Sequence, residues 1–225
     1  MKPTPIVTQC GTMFDVAALF VEPDGIYSRI SGVDVWDADR DARLYTGPHP
    51  VVCHPPCQRW TNFAALNFRR WGGEHNRPGN DGGCFASALK NVRAWGGVLE
   101  HPAFSKAWKA FELPKPGIGW CFAERGPNWR KHYVCEVFQS AYGHRAQKRT
   151  WLYYVGANYP GEARWERNPG THQVGGFDRI KPVLGEKEAA ATPAEFADFL
   201  IKIARGSLGA NRIIADCLSG HRVLC

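Results

Sequence analysis

A chain of 225 residues and 25.1 kDa, 44% of it hydrophobic, is long enough to bury a full core as one domain without disulfide staples. Its eight cysteines are scattered rather than closely paired, which argues against a secreted disulfide scaffold and for a reducing, cytoplasmic setting. The opening Met1-Lys2-Pro3-Thr4-Pro5 lacks the apolar stretch of a signal peptide, and no apolar run reaches the roughly 18 residues of a bilayer crossing, so no membrane partner is expected.

A net charge of +7 and a pI near 9.1 raise the expectation of an anionic partner, because clustered Lys and Arg gain affinity by neutralising phosphates. Nine tryptophans add aromatic faces that can stack on unpaired bases, although any one of them serves a core equally well.

In chain order, residues 15–22 read as a buried strand closed by the turn Pro23-Asp24-Gly25, and residues 32–37 as a second strand. A third, Val51-Val52-Cys53, runs into His54-Pro55-Pro56-Cys57-Gln58. Residues 62–83 sustain neither helical nor strand periodicity and read as a long functional loop. Residues 84–95 carry Phe85, Ala88, Leu89 and Val92 at helical spacing and predict an amphipathic helix. Strands are expected at residues 97–100, 133–138 and 150–155. A last helix over residues 194–204 has Thr192 at the N-cap, Pro193 at the first position and Glu195 at the third, with Phe196, Phe199, Leu200 and Ile203 on one face.

Strands alternating with helices and loops, with polar residues gathered where strands end, predict an open α/β sheet flanked by helices, with the site at its carboxyl edge. One domain over residues 1–205 is expected, with residues 157–193 as a short insert and residues 206–225 as a carboxyl-terminal extension.

Cys57 is the candidate nucleophile. Two prolines keep its approach extended, and a thiolate there would need neighbouring positive groups, such as His54, Arg59 or a substrate phosphate. A zinc site built from Cys53, His54 and Cys57 with Cys84 or His101 is the weaker alternative, because the spacing of Cys53 and Cys57 lacks the pairing of structural zinc ligands.

Three segments in order resemble the catalytic motifs of DNA cytosine-5 methyltransferases. They are Pro55-Pro56-Cys57-Gln58 with nearby Thr61, then Val98-Leu99-Glu100-His101-Pro102, then Tyr142-Gly143-His144-Arg145-Ala146-Gln147-Lys148-Arg149 leading into an apolar strand that ends at Gly156. The resemblance spans roughly residues 16–156 and implies a reduced, Rossmann-like methyltransferase fold, a monomer acting on DNA or a pyrimidine nucleotide. Similar short phage-encoded proteins place such a chain in a bacterial host cytoplasm.

The chemistry of that family assigns roles. The Cys57 thiolate would add to C6 of a flipped base, Glu100 would hydrogen-bond N3, Arg149 would position the base or its phosphate, and Gln147 would brace the loop. Gln58, Arg59, Thr61, Arg69, Arg70, Arg145 and Arg164 are the candidate substrate and DNA contacts, with the segment around Arg69, Arg70, Trp71 and Arg77 closing over the site.

An S-adenosylmethionine site would involve Pro56, Glu22 as the acid ending a second strand, and Asp34 or Asp37 near adenine. That alignment leaves the first strand to residues 1–15, where Gln9-Cys10-Gly11-Thr12 holds a single glycine and no Gly-x-Gly. The sequence therefore supports three readings: a cytosine-5 methyltransferase, a pyrimidine-modifying enzyme with a different donor, or a silent homologue that binds DNA or a protein partner.

Overall fold

The structure, a computed structural model, describes residues 14–175 and 180–208. Seven strands form one mixed sheet in the order β2-β1-β3-β4-β7-β6-β5. They are β1 (Val16–Leu19), β2 (Val33–Trp36), β3 (Val51–Cys53), β4 (Gly97–Pro102), β5 (Cys121–Arg125), β6 (Lys131–Phe138) and β7 (Arg149–Gly156). The first four are parallel, and β7 then pairs antiparallel with both β4 and β6.

Both faces of the central strands are covered, which is why they are apolar throughout rather than alternating with polar residues. Side-chain parity sorts them. Ala17, Leu19, Val51, Cys53, Leu99 and Tyr153 join the cluster under α2 (Cys84–Trp95), whereas Val16, Ala18, Val52, Val98, Leu152 and Tyr154 join the one under α5 (Ala194–Gly206). Phe196, Leu200 and Ile203 of α5 are buried as their spacing predicts, while Phe199 is only partly so. The helix is capped by Pro193 rather than Thr192, with no side-chain cap bond.

Two details fix the register around the site. Gly97 begins β4 at φ 110, and a β-carbon there would overlap the Val51 carbonyl oxygen, so only glycine lets β4 lie this close to β3. Asp81 accepts hydrogen bonds from the Gly83 and Phe85 amides and from Trp60 Nε1, which anchors the start of α2 to the segment that follows Cys57.

The expectation of an aperiodic loop over residues 62–83 does not hold. This stretch contains α1 (Ala64–Trp71) and a 3-10 turn at Glu74–Asn76. Only Ala64 of α1 is buried, so the helix has no inward apolar stripe that its sequence could have displayed. Two short helices, α3 (Lys106–Ala110) and α4 (Glu186–Ala190), complete the set. The segment proposed to carry a first strand, at residues 1–15, falls almost wholly outside the described residues, as does the carboxyl-terminal extension beyond residue 208.

Candidate active site

Starting from β1, the chain places β2 on one side and β3 on the other, so the sheet order reverses between β1 and β3. The crevice outside the carboxyl ends of such strands is where open α/β sheets bind ligands. Here it is bordered by Phe20 after β1 and by His54-Pro55-Pro56-Cys57 after β3, and the His54 amide bonds the Leu19 carbonyl at 3.0 Å. Next along the same edge come Glu100 near the end of β4, Gln139 just after β6 and Lys148 just before β7.

Parity decides which side chains meet. His54 continues the face of Val52, and Glu100 the face of Val98, so both point to the α5 side of the sheet. His54 Nδ1 lies 3.1 Å from Glu100 Oε2, and His54 Nε2 lies 2.7 Å from the Tyr27 hydroxyl. On the other carboxylate oxygen, Gln139 Nε2 donates to Glu100 Oε1 at 3.2 Å and also to Thr150 Oγ1 at 2.9 Å. Tyr27, Glu100, Gln139 and Thr150 are all buried. Five side chains from distant parts of the chain thus form one hydrogen-bonded row.

The electrostatics follow from that row. Burial pushes the Glu100 carboxyl up, but the His54 hydrogen bond and charge, together with Lys148, outweigh it and hold the group below the usual carboxylate range. The Cys57 thiol is raised, by burial first and by the Glu100 charge second, with Lys148 opposing both. Burial lowers Lys148, and the charges of Glu100 and Cys57 resist that. Cys57, Glu100 and Lys148 therefore sense one another directly.

The cation whose charge lowers the Cys57 thiol is Lys148, while the expected His54 and Arg59 are engaged elsewhere. His54 is engaged by Glu100 and Tyr27, and Arg59 Nε donates to the His75 carbonyl at 2.6 Å. Lys148 sits at φ 35, a strained backbone for a residue with a side chain, and its ammonium is tethered to the Ala190 and Ala191 carbonyls at 3.1 Å. Phe20 and Phe104, at φ 61 and 64, are strained at the same sheet edge.

Arg149 lies on the opposite face from Glu100. Its guanidinium pairs with Glu136 at 2.9 Å and stacks over Phe104 at 4.5 Å, and Trp151 Nε1 donates to the same Glu136 carboxylate. Gln147 donates to the Arg167 carbonyl, which ties the loop before β7 to residues 157–193. Arg145 pairs with Glu188 and bonds His172, while Arg164 pairs with Glu195 and stacks on Tyr142, so both arginines brace the insert.

Pro56 and Gln58 are exposed beside Cys57, and Thr61 bonds back to the Gln58 carbonyl. Arg69 and Arg70 project from the last turn of α1 next to Trp71, which is 63% exposed.

The zinc reading finds no support in this geometry. Cys53 points to the α2 side, against the Ala88 carbonyl, and His54 to the other, and among the described residues no three His, Cys, Asp or Glu side chains gather as metal ligands.

The donor expectation also changes. Glu22 follows β1, the strand directly beside β3, and not a second strand further out. After it the chain forms a 3-10 turn (Ile26–Arg29) rather than a helix whose amino end could face a ligand. Within β2, Asp34 binds Trp36 Nε1 and Arg40, both at 2.7 Å, while Arg40 covers the Trp36 ring at 4.1 Å and its amide bonds Asp37. As they stand, these described residues do not fit S-adenosylmethionine.

The fold and site together define an α/β protein with a cysteine, a carboxylate and a lysine along the carboxyl edge of a mixed sheet, beside its switch point. No family model matches the chain, and neither does any curated protein or solved structure.

Proposed function

We propose that the chain is a pyrimidine-modifying enzyme of the DNA cytosine-5 methyltransferase type, in which the Cys57 thiolate adds to C6 of a cytosine held out of its stack. The observation that carries this reading is the convergence of Cys57, Glu100 and Lys148 on one carboxyl edge, in a site whose thiol, acid and cation are electrostatically coupled. A cytosine ring is a poor nucleophile at C5. Addition of sulfur at C6, with a hydrogen bond from Glu100 to N3, moves electron density to C5 and makes that carbon reactive.

Lys148 supports the thiolate, and the row of His54 and Gln139 fixes the Glu100 carboxyl in one orientation. The exposed face of α1, with Arg69, Arg70 and Trp71, offers cations for phosphates and an aromatic ring for an unpaired base. DNA is the substrate class that these features suit best.

The test uses an oligonucleotide bearing 5-azacytosine, whose ring nitrogen makes C6 more electrophilic, so that addition needs no separate donor. Intact mass spectrometry should show a protein–DNA adduct mapping to Cys57, absent from Cys57→Ser. An adduct on another residue, or none under conditions where the DNA is bound, would count against the proposal.

A further inference from the structure

Glu100 has a difficulty as a partner for ring N3. Unprotonated N3 is an acceptor, so Glu100 must offer it a proton, yet both carboxylate oxygens already accept hydrogen bonds and the group is held as the anion. The protein needs a proton source at this carboxyl, and among the described residues a single histidine is hydrogen-bonded to it.

Resting on the reading above, we infer that His54, steadied by Tyr27, forms a proton relay to Glu100, in which His54 Nδ1 passes its proton to Glu100 Oε2 as the pyrimidine seats. The N–H bond at Nδ1 breaks and an O–H bond forms on Glu100, so imidazolium and carboxylate become imidazole and carboxylic acid with no net change of charge. His54 Nε2–H remains and donates to the Tyr27 oxygen, 2.7 Å away. Tyr27 is a buried phenol kept neutral, by burial first and then by the charge of Glu100, so it accepts that bond without surrendering its own proton. When the thiolate leaves C6, N3 returns the proton through Glu100 and the pair is restored.

After burial, the Glu100 charge is the main influence holding the Cys57 thiol up, so the state of this carboxyl bears on the nucleophile as well as on N3. The other groups around the pair are Gln139 and Thr150 from the ends of β6 and β7, His101 on the strand of Glu100 itself, and Asp198 of α5, whose charge reaches Tyr27. Of these, Gln139 and Thr150 have no proton to give at neutral pH, and His101, one residue on from Glu100 in the strand, packs against Phe85 on the opposite face of the sheet.

His54 and Tyr27 are thus positioning residues that act through Glu100. His54→Asn keeps an amide donor for Glu100 but cannot carry the proton. Its rate of adduct formation with 5-azacytosine DNA should fall about 100-fold at neutral pH and recover as pH is lowered toward the range where solvent protonates Glu100. A loss of the same size at every pH would overturn the relay, as would no loss.

A second measurement works without any reaction. In full-length protein carrying carbon-13-labelled glutamate, the Glu100 carboxyl should titrate at a higher pH in His54→Asn than in the native chain, because the His54 charge that helps hold it down is gone. An unchanged Glu100 titration in His54→Asn would overturn the relay even if adducts form. A coupled titration in a protein that makes no adduct would instead uphold the proton pair and reject the pyrimidine reading.

Discussion

His54 Nδ1 and Glu100 Oε2 stand 3.1 Å apart although 46 residues separate them in the chain. The contact exists because β3 and β4 are parallel neighbours with Cys53 opposite Leu99, which sets the next residue of each strand on the same face. It also joins a β3 loop bearing the candidate nucleophile to the carboxylate expected to meet the base, so substitutions on one side of this pair should be felt on the other.

Glu100→Gln should separate chemistry from folding. The amide fills the same space and can still accept from Gln139, but it carries no transferable proton. Adduct formation with 5-azacytosine DNA should drop by about two orders of magnitude or more, with a change in DNA affinity of less than about threefold. Rates from intact mass and affinities from anisotropy would check both numbers.

Lys148 and Glu100 should move the Cys57 thiol in opposite directions. Removing a nearby cation disfavours the thiolate, so Lys148→Met should raise the midpoint of Cys57 alkylation. Removing a nearby anion favours it, so Glu100→Gln should lower that midpoint. Alkylation followed by peptide mapping resolves Cys57 from the other free thiols, Cys84 and Cys121 among them.

His101 should make the fold acid-sensitive. Burial, the leading cause, lowers its pKa to about 4 from an ordinary 6.5, although the Glu100 charge resists this. Between those two values the unfolded chain binds the proton and the folded chain does not, so this contribution is intact above about pH 6.5 and is lost as pH falls toward 4. A shift of this size corresponds to at most about 3 kcal/mol. Urea midpoints from pH 7 to 4 should therefore fall less steeply in His101→Leu than in the native chain.

On α1, the double variant Arg69→Ala, Arg70→Ala should weaken DNA binding in proportion to charge rather than disturb the fold, since neither residue is buried. If each contacts one phosphate, the slope of log affinity against log salt should shrink by about two. An unchanged slope would remove this helix from the DNA path.

Much of the central sheet was legible because apolar runs and turn residues agree there. Val51–Cys53 and Cys84–Trp95 fall where the sequence predicts, since one is a fully buried run entered through Pro50 and the other a strong amphipathic period. β5 was missed because four of its five residues are exposed and no alternation marks it. Tyr27 lies in a 3-10 turn with no periodic signal, so its meeting with His54 depends on how β1 and β3 pair. Lys148 was passed over for Arg149 because the motif emphasises the arginine. Only the register of β7, which places Arg149 opposite Phe138 on the face of Trp151, shows the two neighbours reaching different surroundings.

The central claim is that Cys57 adds reversibly to C6 of cytosine, and hydrogen exchange at C5 tests it most directly. Addition at C6 activates C5, solvent protonates that carbon, and expulsion of the thiolate then releases the hydrogen originally bound there, with no methyl donor involved. Incubated with DNA tritiated at C5 of cytosine, the native chain should release tritium to water, Cys57→Ser should not, and Lys148→Met should do so more slowly. Equal release by the native chain and Cys57→Ser, or none from the native chain while it remains bound to the DNA, would contradict the account.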